Sequence, residues 1–85
     1  MKPKVGDEVK IYWCDVRHED DLTLDEIKKL QPAPAVTYGK ILVQNDGWVI
    51  IASTEFPDEN GTDYRGILVI PHCLISRIRK IKEEI

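Results

Sequence analysis

Val9, Ile11 and Trp13 alternate with Lys10, Tyr12 and Cys14 along the segment Val5 to Cys14. A period of two, built from β-branched and aromatic residues, predicts a half-buried strand. Four further segments carry apolar positions in short runs. Val36 to Gln44 predicts a second strand, and Trp48 to Ser53, rich in Val and Ile, a third. Tyr64 to Ile70 predicts a fourth, closed by Pro71, whose nitrogen cannot donate to a ladder. The last segment reads two ways. Leu74, Ile78, Ile81 and Ile85 recur at helical spacing, while Ile75 to about Arg79 can form a short fifth strand after a turn at Pro71-His72-Cys73. The strand is the favoured reading.

The punctuation between these segments is clear. Asp15 to Asp21 is a charged loop. Thr23 and Glu26 stand at capping-box spacing, so a short helix is expected there, with Leu24, Ile27 and Leu30 on one face. Glu19, Asp20, Asp21 and Asp25 gather near its positive end. Gln31-Pro32 stops it, and Pro32-Ala33-Pro34 reads as a stiff extended link. Asn45-Asp46-Gly47 is a turn, expected because Asn and Gly tolerate positive φ. Thr54 to Asp63, with Pro57 and Asn60-Gly61, is a loop or an irregular hairpin. The order is strand, long loop with a short helix, then four strands. Short strands separated by turns predict a small antiparallel barrel, which also removes exposed edges.

Composition bounds this picture. At 85 residues the chain is one domain with a modest core, a size that often gains stability from a second subunit. It is 42% hydrophobic and 32% charged, as ordinary globular domains are. The net charge of −3 argues against a chain built mainly to neutralise phosphates. Lys2 and Lys4 lead into the polar Gly6-Asp7-Glu8 rather than an apolar core, so no secretory leader is expected. The longest apolar runs, Trp48 to Ala52 and Ile67 to Ile70, fall far short of the ~20 residues of a membrane span. Two cysteines without a leader are expected as reduced thiols in a cytoplasm.

Val69-Ile70-Pro71, followed by Ile75 and Ile78, resembles the closing strands of SH3-like small barrels. That resemblance implies a five-stranded antiparallel barrel with one turn of 3₁₀ helix before the last strand. Cys14 to Ala35, with its short helix, would take the place of the long first loop, and Trp48 would stand where a groove tryptophan often sits. Tyr64-Arg65-Gly66 with Val69, and Gly39-Lys40-Ile41, resemble parts of the two Sm-like motifs. The Asp and Asn that such barrels use to hold RNA bases would fall near Asn45 and Val49, and a valine cannot do that work. Trp13-x-Asp15, Thr37-Tyr38-Gly39, an acidic hairpin loop and the closing Ile-Pro are similar to small uncharacterised proteins of bacteriophage and prophage. The implied role is a virus–host accessory, acting on a host protein or a small anionic ligand.

Cys14, His18, His72 and Cys73 are the soft ligand types a zinc ion would need, but His72 and Cys73 are adjacent and the usual spacing is absent. Adjacent side chains diverge, so Cys73 and His72 make a poor nucleophile and base. The run His18 to Asp21 with Asp25 lacks an EF-hand pattern and reads as a solvated loop. No phosphate loop or catalytic triad is present, so neither an enzyme nor a cofactor is expected. What remains is binding. Trp48, Tyr64 and Arg65 are the first candidates, an aromatic anchor with a planar donor fork. Basic residues at the two termini are the second: Lys2, Lys4 and Lys10, with Arg77, Arg79, Lys80 and Lys82. In an SH3-like barrel the first and last strands adjoin, so Lys10, Arg77 and Arg79 would merge into an anion or nucleic-acid patch, the alternative to a protein or small-ligand target. Trp48 and Ile50 on one face of their strand, with Val49 and Ile51 on the other, make it either central in the barrel or covered by a partner, and self-association is expected.

Overall fold

The computed structural model describes residues 2–16 and 18–81. It holds five strands: β1 (Glu8–Asp15), β2 (Ala33–Gln44), β3 (Trp48–Asp58), β4 (Gly61–Pro71) and β5 (Ile75–Lys80). A single helical turn, α1 (Leu24–Ile27), follows β1, and a 3₁₀ turn at His72–Leu74 separates β4 from β5. All pairings are antiparallel, in one sheet of order β4-β3-β2-β1-β5. The fold is therefore mainly β. Among the described residues, no helix is long and apolar enough to cross a membrane.

The two edge strands, β4 and β5, are consecutive in the chain. The segment between Pro71 and Ile75 reaches at most roughly 14 Å, so the sheet must curl to bring its edges together at that end. No ladder joins β4 to β5 among the described residues, and the sheet is open. The crossing is pinned from below. The His72 amide donates to the Gly47 carbonyl at 3.0 Å, and the His72 ring lies 2.8 Å from the Asn45 carbonyl oxygen.

Alternation decides which side of the curl is dry. Val9, Ile11, Ile41, Val49, Ile51 and Ile70 are fully buried or nearly so and form one cluster. Trp13, Leu68, Ile75 and Ile78 pack against it. The Trp13 indole donates to Thr37 Oγ1 at 2.9 Å, so its polar atom is satisfied within the concave side.

Several boundaries differ from the sequence reading. β1 begins at Glu8 rather than Val5, because Lys4 and Asp7 close a turn: the Asp7 amide donates to the Lys4 carbonyl, and the Lys4 amide to the Asp7 carboxylate. The Pro32–Pro34 link is partly strand, with Pro34 opposite Cys14 and Ala33 opposite Asp15. Pro34 is tolerated because β3 joins β2 only from Lys40 onward, leaving one side of this stretch unpaired. The Asn45-Asp46-Gly47 turn needs no positive φ. Instead the Asn45 side-chain oxygen accepts from the amides of Gly47 and Trp48, at 2.9 and 3.0 Å. Thr23 caps α1 as expected, accepting from the Glu26 amide and donating to its carboxylate. The helix nevertheless lasts one turn, and Leu24, Ile27 and Leu30 remain exposed. One turn with no burial has little to hold it.

The largest difference is at Thr54 to Asp63. Strands β3 and β4 stay paired to Asp58 and Gly61, far beyond the last contact of β3 with β2 at Ala52. The result is a two-stranded arm, solvated on both faces. It explains a radius of gyration of 16.3 Å and a long dimension of 55 Å, against the ~12 Å radius expected for a compact chain of this length. Pro57 is accommodated because only β4 pairs there. Gly66, at φ +66°, stands where the arm leaves the body, and a Cβ there would collide with Ser53 Oγ.

Candidate functional site

The strand register assembles a mixed aromatic and cationic surface on the convex side of β2, β1 and β5. Val9 and Ile11 point into the core, so Lys10 and Tyr12 point out. Lys10 stands opposite Tyr38 on β2 and opposite Arg79 on β5. In the next outward row Tyr12 stands opposite Val36 and Arg77. Two cross-strand rows thus interleave three cations with two phenol rings.

The contacts within this face are close. The Lys10 ammonium lies 5.0 Å from the centre of the Tyr12 ring and 5.5 Å from that of Tyr38. The Arg77 guanidinium lies 5.9 Å from the Tyr12 ring. Such contacts offset part of the repulsion among the cations. The Lys10 ammonium beside its hydroxyl, aided by Arg79, holds the Tyr12 phenol below its ordinary value. Tyr12 first and then Tyr38 push the Lys10 ammonium up in turn. The three cations have no carboxylate within ion-pair distance among the described residues. The pairs found there are His18 with Asp20, Lys40 with Glu55, and Lys80 with Asp7.

Tyr38 also borders a cleft of about 290 Å³ at the root of the arm, with Lys40, Thr54, Glu55, Tyr64 and Ile81 among its walls. The cleft is open, and its Lys40–Glu55 pair, at 3.4 Å, is exposed and easily exchanged. A planar group entering there would meet tyrosines from both β2 and β4 within reach of the cationic rows.

The structure separates the first set of candidates. Trp48 starts β3 opposite Pro71, whereas Tyr64 stands opposite Glu55 and Arg65 opposite Thr54, on the arm side of Gly66. Tyr64 lines the cleft, but the Arg65 guanidinium stacks 4.7 Å from the Phe56 ring. The second set converges in part, and Lys80 pairs with Asp7 instead. Lys10, Arg77 and Arg79 lie in adjacent rows, as adjoining first and last strands require. Lys82 lies outside the described residues, as do Glu83 and Glu84. Tyr12 and Tyr38, as members of this face, are the residues the sequence reading did not place there. The signal was present in Lys10-x-Tyr12, which alternation puts on one side of a strand.

The other constellations stay apart. Among the described residues, no three His, Cys, Asp or Glu side chains are grouped so as to hold a metal ion. Cys14 and Cys73 are exposed, free thiols. The fold and this face define a class: a small antiparallel β protein with a convex surface of tyrosines and of cations that pair with no carboxylate among the described residues. The chain matches no family model, no curated protein and no solved structure.

Proposed function

We propose that this protein is a non-enzymatic binding module whose β5–β1–β2 face takes up single-stranded nucleic acid. The observation that carries the reading is the pair of cross-strand rows, Tyr38–Lys10–Arg79 and Val36–Tyr12–Arg77. Rings that can stack on bases, set beside cations that can follow a phosphate backbone, are what sequence-tolerant single-strand binding requires. The net charge of −3 falls mainly in segment 19–26 and on the arm; on this face Glu8 stands in the row beside Lys10, opposite Lys40, and borders the cleft. In this reading the sheet works as an SH3-like or Sm-like small barrel. The strand order, with β5 beside β1, and the 3₁₀ crossing after Pro71 support it. The base-holding residues of Sm-like proteins play no part.

The test is fluorescence anisotropy with mixed-sequence oligonucleotides of twelve nucleotides. Three phosphate contacts predict a log–log salt slope near −2, about a 20-fold loss of affinity between 50 and 200 mM salt. Tyr38→Ala should remove one stacked base, about 1–3 kcal/mol, and Arg79→Ala should flatten the salt slope. Absence of binding at 50 mM salt, or binding indifferent to both substitutions, would sink the proposal. The cleft beside Tyr38 favours a second reading, a small anionic ligand with a planar ring. Binding of a free mononucleotide as tight as that of the oligonucleotide, with no gain from chain length, would select it.

A further inference from the structure

The convex side of β3 and β4 differs from that of β1 and β5. Trp48 and Ile50 point outward there, opposite Pro71 and Val69, and Val43 of β2 stands opposite Ile50. Ile67 continues the patch opposite Ala52. Trp48 is 46% exposed, Ile67 57%, Val69 55% and Val43 41%. Together these side chains leave on the order of 400 Å² of uncharged, largely apolar surface, within the range of the largest patch on an ordinary monomer, which is often functional.

The patch runs to an open edge, and the two edges of the sheet are built differently. β5 alternates its isoleucines with Arg77 and Arg79 and ends in Lys80, the kind of charge that discourages a strand from adding. The body half of β4, Gly66 to Pro71, carries no charge at all. Its ladder is bounded at both ends. Pro71 has no amide hydrogen to offer, and Gly66 breaks the extended geometry at φ +66°. An unguarded edge of defined length beside an exposed apolar face is suited to receive one strand.

We propose that the strand is β4 of a second copy, added antiparallel about a two-fold axis near Leu68. That register sets Ile67 beside Val69 of the second copy, twice, and joins the two patches into one stripe. Both open edges are satisfied by one operation, as an isologous dimer requires. Pairing with β5 of another copy would instead set Arg77 and Arg79 against the same apolar residues. Strand addition buries the two edges and the paired Ile67–Val69 contacts while the faces stay solvated, less than the ~1,000 Å² of a stable interface, so a weak, concentration-dependent dimer is expected. The cationic rows lie on the other half of the sheet and are untouched by this pairing, while the cleft beside Tyr38 shares Ala52 and Tyr64 with β3 and β4.

Sedimentation equilibrium from 1 to 200 μM tests it. The mass should rise from 9.8 kDa toward twice that value. Val69→Lys, at an exposed position, should weaken association at least 10-fold with an unchanged circular dichroism spectrum. Ile67→Thr, which keeps a β-branched side chain, should weaken it in the same direction. A mass fixed at 9.8 kDa up to 200 μM, assemblies larger than two copies, or a dimer indifferent to both substitutions would each overturn the proposal.

Discussion

Gly66→Ala should cost this protein about 2–4 kcal/mol, a large share of what an 85-residue domain possesses. Two separate effects make up that figure. Gly66 sits at φ +66°, and holding an L-residue in the left-handed region costs roughly 1–2 kcal/mol. The added methyl also runs into Ser53 Oγ and comes within 3.2 Å of Ser53 Cβ; because Ser53 is exposed and its hydroxyl can rotate, relieving the contact costs about 1–2 kcal/mol, the lower part of the range for overpacking. The two can be told apart. Ser53→Ala removes the hydroxyl, so Gly66→Ala made in that background should recover about half of the loss and keep the backbone share. Urea unfolding followed by the emission of Trp13 and Trp48 gives the free energies, and thermal midpoints should fall by roughly 10–25 °C. A loss under ~0.5 kcal/mol for Gly66→Ala in the natural background would refute the reasoning. So would an equal loss in both backgrounds, because the clash would then contribute nothing.

Three further outcomes follow from single contacts. Trp13→Phe removes the 2.9 Å donor to Thr37 and should cost about 0.5–1.5 kcal/mol beyond the change in packing, with Thr37→Val in the same background adding little in a double-mutant cycle. The Asp7 carboxyl is held below its ordinary 3.8, first by the Lys4 amide and then by the Lys80 ammonium. On acidification the unfolded chain therefore takes up this proton first. The stabilisation is complete above about pH 4 and is lost as pH falls through the lower folded value, and Asp7→Asn should remove that part of the acid dependence in urea titrations. Tyr12 should ionise below the ordinary tyrosine value in ultraviolet titration, and Lys10→Gln should move it back up, since the Lys10 ammonium is the leading cause of the shift.

How far the sequence foretells this molecule depends on which residues meet the core. In β1 every second side chain is driven inward, so Val9, Ile11 and Trp13 write their period plainly. In the last segment Ile75 and Ile78 do pack inward, but a register shift between Tyr12 and Trp13 on the facing strand lets a three-residue spacing serve a strand. The helical spacing of Leu74, Ile78 and Ile81 spans the 3₁₀ turn, β5 and the residue after it, so it marks no single element. The arm left no period to read, because neither of its faces touches the core; backbone pairing, with the Arg65–Phe56 stack and the Lys40–Glu55 pair, carries it past Thr54. The convergence of Lys10, Arg77 and Arg79 could be expected from topology alone. The separation of Trp48 from Tyr64 could not, since it depends on a hairpin long enough to carry them to different ends.

The return of β5 to β1 has a consequence for how the chain reaches this state. Ser76 donates to the Tyr12 carbonyl across 64 positions of sequence, and the whole β1–β5 ladder spans similar separations. During synthesis the three-hairpin meander can zip as it emerges, but the outer rim of β1 waits until β5 has been made. For that interval Ile11 lacks its neighbour Ile78 and the hydrophobic interior stays unlidded. With the meander formed, only the short crossing after Pro71 tethers β5, so the last step of folding should be a late docking of β5, visible as a phase that lengthening the crossing between Pro71 and Ile75 would slow.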